Sequence, residues 1–289
     1  MKKISYKFLA VMAGVALFAT SCQKMDEPGL GDYPTDTNPP GGPLKFYAAF
    51  DGTTDNALKN AVDSIRANYP SENPLVSIDG PSGKAIQGET GKFVKYIKPN
   101  DWAATAESFT VACWYKRDGQ TKNNGGTNGP EFLMSTRAVN DYNWSNGSFL
   151  FFLEGNNAAC GVKFYIQTKS TVNADGWLTW EGGHSIAGLL DNQWHHIAAV
   201  YNHTTSTMTL YVDAVANPNT KTWGTHGALN LADDKIAEFR IGRGPRNDSD
   251  ADGAGGWLQS SFKGGIDQFR LYSTALTQAE VSTLFTTKQ

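Results

Sequence analysis

The stretch that decides the fold is Asn192-Gln193-Trp194-His195-His196-Ile197-Ala198-Ala199-Val200-Tyr201, continued by Asn202-His203-Thr204-Thr205-Ser206 and then Met208-Thr209-Leu210-Tyr211-Val212-Asp213. Two apolar runs flank a short polar segment. β-Branched and aromatic side chains suit a pleated surface, and Asn and Ser favour turns. The spacing predicts a hairpin with strands over 195–201 and 208–213. The same grammar recurs on either side. Phe109-Thr110-Val111-Ala112-Cys113-Trp114-Tyr115 alternates and stops at Asp118-Gly119. Residues 148–153 and 162–167 read as strands around Gly155-Asn156-Asn157, and 46–50, 239–241 and 266–272 complete the set. Many short strands without alternating helices argue for an all-β antiparallel sandwich, not a parallel sheet.

Two helices are predicted. Ala57, Leu58, Ala61, Val62, Ile65 and Tyr69 share one helical face, with Asp55 to cap and Pro70 to stop it, so a short helical insertion is expected near 56–69. Thr277-Gln278-Ala279-Glu280 reads as a capping box opening a short C-terminal helix that ends near Phe285. No internal repeat is present.

Composition narrows the function. The 289 residues are 40% apolar and 18% charged, with 25 Lys and Arg against 28 Asp and Glu. That balance gives no basic footprint for nucleic acid. Its low charge and aromatic richness exclude a disordered chain. Three cysteines cannot supply a disulfide framework.

The first residues read as an address. Lys2, Lys3 and Lys7 precede an apolar run over 8–19, and Ala19-Thr20-Ser21 leads to Cys22. A dozen apolar residues are too few to span a bilayer, for which roughly 20 are needed. The cysteine after small residues resembles a bacterial lipobox, with Ala19 where leucine is usual. It implies cleavage of a signal peptide (1–21) and acylation of Cys22. Residues 22–43, carrying Pro28, Pro34, Pro39, Pro40 and Pro43, read as an extended tether, and 44–289 as the folded domain. The acidic start Asp26-Glu27 resembles the export signal of surface lipoproteins of Gram-negative glycan-degrading bacteria. The expected location is the outer membrane, facing outward, with the acyl anchor as the sole membrane contact; the alternative is an anchor facing the periplasm.

Three motifs in register carry a family resemblance. They are Ser108-Phe109-Thr110-Val111-Ala112-Cys113-Trp114, the decisive stretch above, and Phe262-Lys263-Gly264-Gly265-Ile266-Asp267-Gln268-Phe269-Arg270-Leu271-Tyr272 followed by Ala275-Leu276-Thr277. Together they resemble the laminin-G-like branch of the concanavalin A-like lectin/glucanase superfamily. The resemblance implies an antiparallel two-sheet jelly roll with a rim of loops. Ala214 departs from it, standing where a glycine usually follows the Val-Asp turn, and so does the insertion near 56–69. It also implies a structural Ca²⁺ held by Asp51, Gly91 and Asp267. The same two aspartates read equally as turn caps and solvated strand ends.

A second calcium candidate is local: Asp248, Asp250 and Asp252 alternate ahead of Gly253, but Gln259 stands where a closing glutamate belongs. The alternative reading is a solvated acidic loop. His195 and His196 are adjacent on a strand, point to opposite faces and cannot share a metal. Cys113 and Cys160 read as buried hydrophobes, with a disulfide between them left open. No strand carries the Glu-x-Asp-x-x-Glu spacing of jelly-roll glucanases, and Glu154, Glu181 and Glu238 each stand alone in sequence.

Binding fits better. Sugars offer C–H faces to aromatic rings and hydroxyls to planar polar groups. Trp144, Trp177, Trp180, Trp223 and Trp257, read as loop residues, with Arg243, Arg246 and Asn247 nearby, are the candidate contacts. Trp114 and Trp194 are assigned to packing. The expectation is a lipid-anchored surface protein that captures a polysaccharide or glycoconjugate at its loop rim. The alternatives are a glycosidase or lyase on the same fold, and an adhesin module with an outer-membrane protein partner.

Overall fold

The computed structural model describes residues 36–288 except 37, 52–57, 64–68, 72–73, 120–129, 140–144, 250 and 252–256. The predicted hairpin is present. β10 (Asp191–Asn202) pairs antiparallel with β11 (Thr207–Val212), Ile197 opposite Val212 and Tyr201 opposite Met208. β10 also pairs with β5 (Phe109–Asp118), which pairs in turn with β15 (Gly265–Tyr272). Outward from β15 lie β3 (Lys84–Gln87) and β2 (Val76–Asp79), with β1 (Leu44–Ala48) also on β15. β12 (Val215–Ala216) and β13 (Lys221–Thr222) complete this nine-stranded sheet on β11.

The second sheet has six strands. Its order is β4 (Val94–Tyr96), β14 (Ile236–Ile241), β6 (Glu131–Ala138), β7 (Phe149–Asn156), β8 (Ala159–Gln167) and β9 (Asp175–Trp180). All pairings in both sheets are antiparallel. The fold is therefore the two-sheet sandwich that strand parity dictates. Phe109, Val111, Cys113 and Tyr115 of β5 point inward to meet Phe149, Phe151 and Leu153 of β7 in one core. Each such buried side chain contributes roughly 1.5–3 kcal/mol of transfer free energy. Phe46 of β1 crosses the layers, with its ring 4.7 Å from Tyr96 and 4.8 Å from Phe239, both on the six-stranded sheet.

The outward face of the nine-stranded sheet is closed by a helix. After α1 (Trp102–Thr105), the second helix described, α2 (Gln278–Thr287), starts at the predicted box. The Thr277 N–H donates to Glu280 Oε2 at 2.7 Å, and the Glu280 N–H donates back to Thr277 Oγ1. Val281 packs on Ala112, Ala198, Val200 and Tyr211, and Phe285 stacks on Trp114 at 5.4 Å. Trp194 lies against Gly265, where a Cβ would stand 2.5 Å from its ring. Both framework tryptophans are thus packing residues.

Some expectations need correction. Of the helix expected near 56–69, residues 58–63 and 69 are described, and 58–63 form turns around a bridge residue, Asn60, with Asp63 at φ 57°. The Asn60 side chain explains this: its Oδ1 accepts from the N–H groups of Tyr47 and Val62, tying the segment to β1. The loop expected over 177–181 is mostly strand: residues 177–180 lie in β9. Cys113 and Cys160 are buried free thiols, and burial pushes the Cys160 thiol up to about 12. The signal segment, Cys22 and the tether up to residue 35 lie outside the described residues. Among those described, no helix is long and apolar enough to cross a membrane.

Candidate functional site

The six-stranded sheet is apolar on both faces, which a strand with one solvated face does not need. Phe132 of β6, Leu150 and Phe152 of β7 and Tyr165 of β8 form an outward cluster that Leu258 and Trp257 cover. On this face β9 places Trp177, opposite Tyr165 in register. The Trp177 ring lies 4.8 Å from Tyr165, 5.9 Å from Trp257 and 6.3 Å from Phe152. It is nevertheless 46% exposed. An exposed indole held on three sides by other rings is a rigid platform.

Polar groups stand at both ends of the platform, because alternate residues of β8 and β9 share the face. One end has Gln167 opposite Asp175; the other has Lys163 opposite Thr179. Tyr165 donates its hydroxyl to Gln167 Oε1 at 3.0 Å, which leaves the Gln167 amide N–H₂ to donate outward. Burial pushes the Tyr165 phenol up to about 12, and Asp175 adds to it. Lys163 Nζ lies 2.5 Å from Glu154 and 2.6 Å from Glu181. Two acids that stand alone in sequence thus share one ammonium. A cleft of about 360 Å³ is bounded by Pro130, Phe152, Glu154, Lys163, Trp177 and Trp257. A second, of about 490 Å³, is bounded by Tyr165, Gln167, Asp175 and Trp177. The two meet at Trp177.

The other predicted contacts fall elsewhere. Trp180 is fully buried, its indole N–H donating to the Asn219 carbonyl at 2.7 Å. Trp223 is buried, stacks face to face on His226 at 3.7 Å and donates to the Asp175 carbonyl. Neither presents a ring to solvent. Trp144 lies outside the described residues. Arg243 is buried, its guanidinium 5.1 Å from the Phe93 ring centre. Arg246 and Asn247 serve the neighbouring loop: the Arg246 carbonyl accepts from Arg240 at 2.6 Å, and Asn247 Oδ1 accepts from Arg137 at 3.1 Å. Trp177 and Trp257 are the predicted contacts that the fold brings together. Tyr165, Gln167, Asp175, Lys163 and Glu154 are additions. For Lys163, Tyr165 and Gln167 the signal was the alternation Lys163-Phe164-Tyr165-Ile166-Gln167, polar or amphipathic at every second place; Glu154 and Asp175 carried none.

The calcium candidates also divide. Asp248 lies 2.7 Å from Lys95 Nζ and pairs with buried Arg240; those two cations hold its carboxyl below the usual range against the cost of burial. Asp250 and Asp252 lie outside the described residues. Asp248 is therefore held by two bases, an arrangement that does not fit a cation ligand. Asp51 and Asp267 are brought close enough for the charge of one to act on the other, while the contacts of Gly91 are with other residues. Its N–H donates to Ser261 Oγ at 3.0 Å, beside Arg243. The glycines at the two aspartates are Gly80 and Gly83, on the turn between β2 and β3: a Cβ on Gly80 would strike Asp267 Oδ2, and one on Gly83 would strike Asp51 Oδ1.

The aspartate pair fits a cation. Asp267 is fully buried, and neither of its carboxylate oxygens makes a well-formed hydrogen bond. Burial first, and the charge of Asp51 second, push it up to about 8, with Gln268 and Arg270 pulling the other way. Both acids are aimed by left-handed neighbours, Phe50 at φ 56° and Gln268 at φ 48°, the latter in a break of the β15–β5 register. An uncompensated buried carboxylate costs several kcal/mol unless a positive charge meets it. Asp51 and Asp267 would hold a hard cation. Among the described residues no cluster of three or more His, Cys, Asp or Glu side chains joins them, so further ligands would be backbone carbonyls.

Set beside known proteins, the chain is similar in fold to several toxin domains. The binding domain of botulinum neurotoxin serotype C1 superposes with TM-score 0.56 at 13% identity, over 86% of this chain and 52% of that one. The receptor binding domain of botulinum neurotoxin D gives 0.56 at 12%, over 85% and 53%. The binding domain of Paraclostridial Mosquitocidal Protein 1 gives 0.55 at 16%, over 85% and 52%. The chain spans about half the length of these solved chains, and at such identities the likeness is one of fold. No curated protein matches it in sequence. A laminin G family model, described as concanavalin A-like lectin/glucanases superfamily, matches residues 91–282. That match runs from ahead of β4 into α2 and takes in the six-stranded sheet whole; the chain belongs to this family of the concanavalin A-like lectin/glucanases superfamily.

Proposed function

We propose that this protein is a carbohydrate-binding module whose site is the Trp177 groove on the outward face of the six-stranded sheet, and not the loop rim. The observation that carries the reading is Trp177 itself, 46% exposed yet fixed between Tyr165 and Trp257. A sugar ring stacks its C–H face on such an indole, while Gln167 and Asp175 offer a donor and an acceptor to its hydroxyls. One protein that shares the fold over about half of its solved chain, botulinum neurotoxin type C, depends for cell entry on interaction with two ganglioside molecules. One fold hosts many activities, so it is the geometry of the groove, beyond the fold, that favours a sugar.

The reading extends to the rest of the chain. Acylation at Cys22 would tether the domain to the outer membrane, facing outward, where it captures polysaccharide or glycoconjugate. A calcium ion at Asp51 and Asp267 would neutralise the buried pair and lock β1 and β15 to the β2–β3 turn. Binding of the full chain to an immobilised glycan panel, compared with Trp177→Ala, tests the site. Wild-type binding that survives the substitution unchanged would remove the groove from the account.

A further inference from the structure

We infer that the groove selects uncharged polysaccharide chains over acidic ones and seats them lengthwise along β8 and β9. The inference rests on the carbohydrate reading above and adds the class of sugar. From the Gln167–Asp175 pair to Glu181 the platform runs six residues along β9, about 20 Å at the rise of a strand. The aromatic step lies in the middle and the polar pairs at the ends, a layout matched to several consecutive rings of one chain.

Charge then decides which chain. The charged residues lining the two clefts are Glu154, Lys163 and Asp175. The Lys163 ammonium is shared between Glu154 and Glu181. Lys221, further out, lies 5.6 Å from the Trp180 ring centre and 2.7 Å from His184 Nδ1; burial lowers its pKa and the charge of Glu181 opposes that. Among the described residues, therefore, the two clefts present carboxylates at both ends, and their lining cation, Lys163, is already paired with Glu154 and Glu181. A neutral hydroxyl finds acceptors there. A uronate or sialate carboxylate finds like charge, and displacing Glu154 from Lys163 would strand a partly buried acid.

The test is isothermal titration of the full chain with a soluble neutral β-glucan, a neutral galactomannan, polygalacturonate and alginate, using wild type, Trp177→Ala and Asp175→Lys. At least one neutral polymer is expected to bind, with affinity falling at least about tenfold in Trp177→Ala, and the acidic polymers to bind at least about tenfold more weakly than it at low salt. Asp175→Lys lies on an exposed position and should raise polygalacturonate affinity several-fold at low salt. Acidic polymers that bind wild type as tightly as neutral ones, and lose that binding in Trp177→Ala, would overturn the charge selection while keeping the site. Neutral binding indifferent to Trp177 would overturn the groove itself, and no binding by any polymer would overturn both.

Discussion

Asp51, just past β1, and Asp267 of β15 lie at the two ends of the Gly80–Gly83 turn, Asp267 against Gly80 and Asp51 against Gly83. The approach is close enough that a side chain on either glycine would collide with one of the carboxylates. Both glycines are needed, one for space and Gly83 also for its φ of +64°. If a divalent cation fills this cradle, it binds only the folded chain. Calcium should then stabilise by about 2.7 kcal/mol at a hundredfold excess over its dissociation constant, and chelator should remove the gain. Asp267→Asn should abolish the response. Melting curves with calcium and with chelator that coincide would exclude the cation.

Trp177 and Trp180 make a paired test, because their odd spacing on one strand sends them to opposite faces. Trp180→Ala empties the core and should cost about 3–5 kcal/mol. Trp177→Ala should leave the melting temperature nearly unchanged and cost about 1–3 kcal/mol of glycan affinity, within the range for losing an aromatic anchor. Equal losses of stability in the two variants would contradict the assignment of faces.

The adjacent histidines should set a stability maximum near their ordinary pKa. His196 is buried under Trp114 and Phe285; burial, helped by Arg270, lowers it to about 4. Its fold contribution is complete above the unfolded value of about 6.5 and is lost as pH falls toward 4, by up to about 3 kcal/mol. His195 behaves oppositely. Hydrogen bonds to Asp213, at 2.8 Å, and to Asp191 raise it against burial, so its contribution is present below the unfolded value and fades as pH rises through the folded one. His196→Phe should flatten the acid side of the melting profile and His195→Gln the neutral side. A profile unchanged on the acid side in His196→Phe would refute the assignment.

Ala214 occupies φ 64° beside Asp213 at φ 49°, the double left-handed turn that joins β11 to β12. An L-residue with a Cβ costs roughly 1–2 kcal/mol there. Ala214→Gly should therefore stabilise the fold by about 1 kcal/mol, read as a shift in denaturation midpoint at constant slope.

The strands around the decisive hairpin were legible because parity is local: Ile197, Ala199 and Tyr201 turn inward, and Ala198 and Val200 outward, as alternation requires. The groove was legible only in part. Trp177 and Trp257 could be named, but Asp175-Gly176-Trp177 reads as a turn, and only pairing with β8 shows that Trp177 shares a face with Tyr165. The shared ammonium of Lys163 was hidden for the same reason. The helical face near 56–69 misled because Asn60, one polar residue within it, takes the backbone into another hydrogen-bonding pattern. Gly80 and Gly83 carry no sequence mark of the acids beside them; beside Pro81 they read only as a turn.

Phe46 has a mechanical consequence. The chain enters the sandwich through β1, in the sheet that does not carry Trp177, and Phe46 plugs that strand into Tyr96 and Phe239 of the other layer. Were the chain held upstream and a polymer held on Trp177, tension would pass between the layers, and the contacts of Phe46 would be among those that carry it. Removing those contacts with Phe46→Ala would lower the force at which the layers part, even where ligand affinity at rest is untouched.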